Sequence, residues 1–279
     1  MNPATVHHGI GGRGRIDIVD AQIHLGPDHG HDRLLTAMDA LGVRTAVLDE
    51  LWGRNASDHG TPCVELGDGI YRPLSPLALA AAQLHPGRFG FLQRITRRDP
   101  ALASHVALLA ATPGCVSLRV VVLDRAECAL FAGGGYDELL SLAQEYGLPL
   151  SVLCRDAGAL VGRAAGRFGR LRIVVDHCGW GRTQRHWDEV LALARHGNVW
   201  LKWSHAFRAF GRDGMQPAFE EALAAFGPRR VLWAGDVTHE ESSATWSELL
   251  GFVLHNPALD DAGREWVLGR AAREALRWG

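Results

Sequence analysis

The sequence predicts an α/β fold of the (β/α)8 TIM-barrel type, with some distortion and an extra C-terminal helix. Three observations lead there. Eight short apolar runs alternate with eight helical stretches along 279 residues. The runs are nearly continuous in Val, Ile, Leu and Trp, which is the pattern of strands covered on both faces of a parallel sheet. Several helical stretches end in a stop signal: Gly42, Pro86-Gly87, Pro113-Gly114, Gly147, Gly197 and Gly227-Pro228. The length suits one large domain, since such barrels commonly run to about 250 residues. A doubly wound open sheet is the main alternative. It would carry a Gly-rich turn after its first strand, where this chain has Gln22, His24, Pro27 and Asp28.

Residues 1–14 read as a flexible tail, because His7-His8-Gly9 and Gly11-Gly12-Arg13-Gly14 offer nothing to pack. Residues 15–279 then read as a single barrel domain. The first strand, 16–23, opens on Ile16-Asp17-Ile18-Val19 and is followed by a helix over 32–41. Strands at 45–48, 89–95 and 115–122 precede helices at 76–84, 99–111 and 136–146, counting the helix at 76–84 to the second strand. Strands at 148–153, 172–175, 198–203 and 230–234 precede helices at 157–168, 187–196, 215–226 and 245–254. A final helix covers about 261–277. The connection 52–75 is long and rich in Gly and Pro, with Gly53, Gly60, Pro62, Gly67, Gly69 and Pro73. It reads either as a lid over a barrel mouth or as a surface Ω-loop. No internal repeat or low-complexity segment is present.

Composition narrows the function. Hydrophobic content of 47% and charge of 22% are ordinary for a globular enzyme with a substantial core. A net charge of −2 gives no field that favours nucleic acid or an anionic membrane. There is no apolar run of spanning length and no signal peptide pattern, so cytoplasmic residence is the expectation. The five cysteines, Cys63, Cys115, Cys128, Cys154 and Cys178, show no CxxC spacing. They read as reduced, mostly buried small hydrophobes.

A barrel demands that functional residues cluster just after the C-terminal ends of its strands. The sequence meets that demand. Strand one ends in Gln22 and His24, alternate residues that point the same way. Strand two ends in Asp49-Glu50, and Trp52 follows. Strand four carries Arg119 in an apolar run, and strand six ends in Asp176-His177, with Trp180 beyond. Strand seven carries Lys202, Ser204 and His205, followed by Arg208; strand eight ends in Asp236, followed by His239. Singly, each has a structural explanation as a hydrogen-bonded core residue. Together they count for more, because unpaired buried polar groups cost roughly 2–7 kcal/mol and a shared mouth supplies partners.

With these residues in order, the chain resembles the amidohydrolase-related (amidohydrolase 2) branch of the amidohydrolase superfamily, which includes sugar lactonases, pyrone dicarboxylate lactonase and several decarboxylases. The resemblance runs from about Ile18 to Trp278. Its carriers are Asp20-Ala21-Gln22-Ile23-His24, Ser117-Leu118-Arg119, Val175-Asp176-His177-Cys178-Gly179, Val199-Trp200-Leu201-Lys202-Trp203-Ser204, Leu232-Trp233-Ala234-Gly235-Asp236 and Val267-Leu268-Gly269-Arg270-Ala271-Ala272. In metal-dependent relatives two strand-one histidines, a strand-five histidine and the strand-eight aspartate bind the metal. Here Gln22 replaces the first ligand, and strand five reads Leu150-Ser151-Val152-Leu153-Cys154, without histidine. An amide is a poor substitute for imidazole on zinc. The expectation is therefore no cofactor, with zinc or manganese on His24, His177 and Asp236 as the lesser reading.

The resemblance implies a hydrolase that opens a small lactone or related cyclic ester. Asp236 would activate water, with His24, His177 and Gln22 donating to the developing oxyanion. Arg119 and Arg208 would hold an acidic substrate, with Lys202, Glu50, Trp52, Trp180, His205 and His239 lining its site. The second reading is a metal-free lyase, decarboxylase or cyclase acting on a small acidic or aromatic metabolite. The third is a non-catalytic binding descendant. The partner expected in each case is a small molecule, with no nucleic acid and no membrane. Apolar residues on the final helix allow a homodimer. Other features are weaker. Gly133-Gly134-Gly135 is a loop without P-loop residues. Arg163, Arg167, Arg170 and Arg172 read as a solvated helix end. Cys178 and Ser204 each neighbour a histidine that points the other way along the strand.

Overall fold

The computed structural model describes residues 16–28, 30–52, 60–155, 157–181, 183–237 and 244–278. Its strands are β1 (Ile18–Leu25), β2 (Val43–Glu50), β3 (Cys63–Glu65), β4 (Tyr71–Pro73), β5 (Phe89–Arg94), β6 (Cys115–Val122), β7 (Leu150–Cys154), β8 (Ile173–Val175), β9 (Val199–Trp203) and β10 (Val231–Trp233). All but β3 and β4 form one eight-stranded sheet in the order β1-β2-β5-β6-β7-β8-β9-β10. Every adjacent pair is parallel. The two ends meet just beyond β10: the Asp236 N–H donates to the Gln22 carbonyl at 2.8 Å and the His24 N–H to the Val237 carbonyl at 3.3 Å. The sheet is thus a nearly closed (β/α)8 barrel, as the alternating pattern predicts.

Helices α1 (His31–Leu41), α2 (Pro76–Leu84), α3 (Leu102–Ala111), α4 (Arg125–Gly133), α5 (Asp137–Glu145), α6 (Ala157–Arg167), α7 (Gln184–Leu191), α8 (Ala206–Phe226) and α9 (Trp246–Leu254) connect the strands. The chain closes with α10 (Asp261–Glu265), a π turn over Trp266–Arg270 and α11 (Ala271–Ala275). Three elements depart from the sequence expectation. Helix α4 was not foreseen, since only Phe131 of its residues is buried and no apolar stripe announces it; the Asp124 carboxylate caps it by accepting from Ala126 and Glu127 N–H. Helix α8 starts at Ala206, not 215, because its first turns kink at Gly211. The connection after β2 holds the antiparallel β3–β4 hairpin, tied to the barrel by a two-bond Arg72–Asp99 pair at 2.6 and 2.8 Å.

The strands carry two apolar layers. Ile23, Leu48, Phe91, Leu118, Val152, Val175, Leu201 and Trp233 face the helices. Val19, Ala21, Val47, Leu92, Val116, Val174, Trp200, Leu232 and Ala234 fill the barrel interior, against Ala271, Ala272, Ala275 and Leu276 of the last helix. That helix comes close enough for a Cβ on Gly269 to fall 2.0 Å from the Asp17 carbonyl oxygen. The helix therefore works as a floor. Its apolar residues Val267, Leu268 and Leu276 are buried there, while Arg229 and Arg270 cover Trp266 and Arg273 covers Trp278.

Two residues beyond this interior layer on β2, β5, β8 and β9, and just past β10, the side chains become charged. Val47 is followed by Asp49, Leu92 by Arg94, Val174 by Asp176, Trp200 by Lys202, and Ala234 by Asp236. Strand β1 reaches the same level through a bulge, in which Asp20 to Ile23 spans only Ala46 to Leu48 of β2. The extra residue shifts the phase of the strand, so Ile23 and Leu25 face the helices and Gln22 and His24 turn inward.

Candidate active site

A chain of contacts crosses the barrel mouth. The Arg94 guanidinium grips Asp49 through two bonds of 2.9 and 2.8 Å. Arg119 donates to Asp49 through Nη1 and to Asp176 Oδ2 at 2.8 Å. Lys202 Nζ donates to Asp176 Oδ1 at 2.6 Å and to Gln22 Oε1 at 2.7 Å. Gln22 Nε2 then donates to Asp236 Oδ1 at 3.0 Å. His24 Nε2 approaches the same oxygen at 3.0 Å, and His205 Nε2 is in contact with Asp236 Oδ2. The members of this chain are almost wholly buried; Lys202, Gln22, Asp49, Asp176 and Asp236 are each 0% exposed.

The charges decide protonation. Burial alone would raise the Asp176 carboxyl, but the Lys202 and Arg119 cations outweigh it and hold the group down to about 2. Burial likewise opposes ionisation of Asp49 and Asp236. Arg119 and Arg94 overcome it at Asp49, and the hydrogen bonds from His205 and His24 oppose it at Asp236, so both stay well below the usual carboxylate range. Burial drives His177 well below its ordinary value. Its ring is neutral, and its tautomer follows from its neighbours. Arg119 has only donors, so His177 Nε2, 3.3 Å from Arg119 Nη2, is the acceptor. The ring proton is then on Nδ1, which donates to Ser204 Oγ at 2.8 Å.

The backbone marks the same place. His177, Cys178, Trp180, His205 and Asp236 all have left-handed φ, between 48° and 55°. A non-glycine residue in that region costs roughly 1–2 kcal/mol. Such strain collects where function over-determines geometry.

A small pocket opens at this point, lined by His177, Trp180, Gly181, His205, Arg208 and Ala209. The rings of His177 and His205 meet edge to face at 4.3 Å, and Trp180 packs 5.2 Å from His205. Arg208 is exposed and makes no ion pair among the described residues.

Several side chains expected to touch substrate have other work. Gln22 and Lys202 are spent on each other and on Asp236 and Asp176, and Arg119 is held between two carboxylates. Glu50 accepts from Trp52 Nε1 at 2.7 Å and from the Ala78 N–H at 2.9 Å, so it ties the loop to the start of α2. Trp52 is 41% exposed. Trp203 packs between Phe210, Phe219 and Phe252. His239 lies outside the described residues, as do 53–59 of the suspected lid. Of the expected set, His177, Trp180, His205 and Arg208 line the pocket, and Gln22, His24 and His205 converge on Asp236.

Sequence reasoning passed over Arg94, Asp176 as a partner of Lys202, and Asp20. The signal for Arg94 and Asp176 was present, since both end strands. Asp20 accepts from the Gln22 and Gly235 N–H groups at 3.0 Å and from Trp246 Nε1 at 2.8 Å. Burial nevertheless pushes its carboxyl up to about 7. It holds the ends of β1 and β10 together beneath Asp236.

A metal can be tested against these residues. The ligand atoms of His177, His205 and Asp236 lie within 4.8 Å of one another, a spacing that admits a divalent cation with an open position. His205 stands in this group where the sequence pointed to His24. The hydrogen bonding is less accommodating. Both ring nitrogens of His177 are engaged, and Arg119 sets a positive charge beside one of them.

Comparison with solved structures supports the architecture. An amidohydrolase from Burkholderia multivorans, solved with bound zinc, superposes with a TM-score of 0.73 at 18% identity, over 92% of this chain and 98% of that one. A protein from Pseudomonas putida assigned as a 2-pyrone-4,6-dicarboxylic acid hydrolase gives 0.68 at 20% identity, over 93% and 97%. The 5-carboxyvanillate decarboxylase of Sphingomonas paucimobilis gives 0.64 at 15% identity, over 95% and 100%. No curated protein matches the sequence. The amidohydrolase family model (Amidohydro_2) matches residues 19–278, almost the whole barrel. The chain therefore belongs to the amidohydrolase family.

Proposed function

We propose that this protein hydrolyses a small lactone or related cyclic ester that carries an acidic group, using water activated at Asp236 and no metal. One observation carries the reading. Asp236 is a buried, ionised carboxylate held from three sides by Gln22, His24 and His205, beside a pocket that ends in Arg208 and Trp180. Ionised at neutral pH, it is in the form that can accept a proton as water attacks the substrate carbonyl. Arg208 offers the planar, two-pronged donor that suits a carboxylate. Trp180 offers a flat face to a small ring. The engagement of His177 by Arg119 and Ser204 supports the metal-free part. The likeness to a pyrone dicarboxylic acid hydrolase supports the substrate class.

Decarboxylation or another proton transfer at carbon is the second reading, favoured by the likeness to the carboxyvanillate decarboxylase. Incubation with a panel of acidic lactones in ¹⁸O-water separates the two. Label entering the new carboxylate of the product is the expected result. Turnover without label would replace hydrolysis by lyase or cyclase chemistry. Stoichiometric zinc or manganese in the purified protein, with activity lost on chelation, would overturn the metal-free part.

A further inference from the structure

A second group of metal-ligating side chains lies outside the barrel mouth. His31 opens α1 behind Gly30, and Asp32 follows it in the first turn. His85 closes α2, where its N–H donates to the Ala81 carbonyl. The rings of His31 and His85 lie 5.1 Å apart, tilted by 50°. His31 Nε2 is 3.6 Å from Asp32 Oδ1. One ligand atom from each of the three residues lies within 4.8 Å of the other two. The turn that carries His85 is fixed. Its carbonyl accepts the Arg88 and Phe89 N–H groups at 3.0 and 3.2 Å, and the Phe89 ring meets the imidazole edge-on at 6.1 Å. Arg88 already ties this turn to α1 through Asp39, at 2.7 Å. Among the described residues, neither the His31 nor the His85 ring makes a hydrogen bond, whereas the rings of His24 and His177 are engaged.

We propose that His31, Asp32 and His85 bind one zinc ion, which clasps the start of α1 to the end of α2. The donor set selects the ion. Two imidazoles and one carboxylate suit zinc, whereas calcium and magnesium take oxygen ligands. Water completes the fourth position, as at other zinc sites with three protein ligands. Zinc bonds of about 2.0–2.1 Å at tetrahedral angles put ligand atoms about 3.3 Å apart. The cluster therefore closes by up to about 1.5 Å when zinc enters. Two of its members are able to move. Asp32 is 88% exposed and His31 30%, so both can turn toward the braced His85 ring. The Asp32 carboxylate also offsets the positive end of the α1 dipole, which by itself would disfavour a cation there. The site shares no residue with the network around Asp236, and the inference does not rest on the reaction proposed above.

The test uses the full chain, stripped with a chelator, and zinc chloride alone. Calorimetry should find one zinc site in the wild type that is missing from the double variant His31→Gln/His85→Gln. Zinc at about a hundred times its Kd should raise the wild-type melting temperature by about 5 °C and leave that of the double variant little changed. Asp32→Asn alters one exposed side chain, so it tests the site without threatening the fold; it should weaken binding about tenfold or more. In ¹⁵N-labelled protein, zinc should shift the ring resonances of His31 and His85. Uptake and a melting shift that survive in the double variant would overturn the proposal. Ring shifts at His177 and His205 in place of His31 and His85 would overturn it too, by moving the ion to the barrel mouth. So would a wild type that takes up no zinc. None of these readouts depends on turnover, so a failure of the lactone-hydrolase reading leaves the test intact.

Discussion

Lys202→Met isolates the worth of one buried charge. The variant keeps most of the stem and removes an ammonium that is 0% exposed, 2.6 Å from Asp176 and 2.7 Å from Gln22. Three buried carboxylates, Asp49, Asp176 and Asp236, share the mouth with the cations Arg94, Arg119 and Lys202. Losing Lys202 leaves the buried Asp176 carboxylate with Arg119 as its one remaining cation among the contacts described. Removing one partner of a buried ion pair costs about 3–5 kcal/mol, a large part of a stability that is about 5–15 kcal/mol in all. At about 2 °C per kcal/mol for a domain of this size, the melting temperature should fall by roughly 6–10 °C at neutral pH. The pH dependence carries a sign. The Asp176 carboxyl is held down to about 2 in the fold, below its unfolded value of about 3.9. Its contribution is complete above that value and fades as pH falls toward the folded one. A variant without the Lys202 field has less to lose, so its deficit should narrow in acid. Circular-dichroism melts at about pH 7 and about pH 3.5 measure both effects. A wild-type melting temperature at neutral pH, or a deficit that does not shrink in acid, would refute the account of Lys202 as the cation that holds this network together.

Three further outcomes follow from the same geometry. Arg208→Gln should raise KM for an acidic lactone by roughly ten- to a hundredfold, the worth of a charged hydrogen bond, while leaving its neutral ester analogue unaffected; Arg208→Lys should recover only part of the loss. Gly235→Ala would place a Cβ 2.6 Å from Asp20 Oδ2 and 2.8 Å from Trp246 Nε1, so it should destabilise by about 1–3 kcal/mol in urea titrations through displacement of the β1–β10 clasp. Asp49, Asp176 and Asp236 all have depressed carboxyls; their stabilisation is present above about pH 4 and lost as pH falls, so the urea midpoint should drop steeply below that point.

The barrel was legible because its evidence is repetitive. Strands buried on both faces must be apolar throughout, and the helices between them end at glycines that no other residue replaces cheaply. The polar strand ends were legible for the same reason: Asp49, Asp176, Lys202 and Asp236 interrupt apolar runs at one level. What sequence could not supply was the direction of each contact. Arg119 looked like a substrate arginine, and its type would serve; only the fold shows Asp49 and Asp176 on either side of it. His205 looked like one more lining residue, because the left-handed turn that brings it to Asp236 is invisible to periodicity. The π turn in the last helix and the kink in α8 escaped for the related reason that both are fixed by packing and not by local preference.

Gln22 draws these strands of argument together. It stands between an ammonium, which only donates, and a carboxylate, which only accepts. The residue between them must accept on one side and donate on the other, and an amide does so with a fixed polarity. A neutral histidine could bridge the same pair in one tautomer, but its lone pair would then face Lys202 and its N–H would face Asp236. Neither nitrogen would be left for a metal. On the metal-free reading proposed above, Gln22 does not act alone. Lys202, paired with Asp176 and aimed at residue 22, already places a cation's charge in the barrel mouth. That fixed charge holds Gln22 and, through it, the orientation of Asp236. It leaves the open face of the site to His205, Trp180 and Arg208.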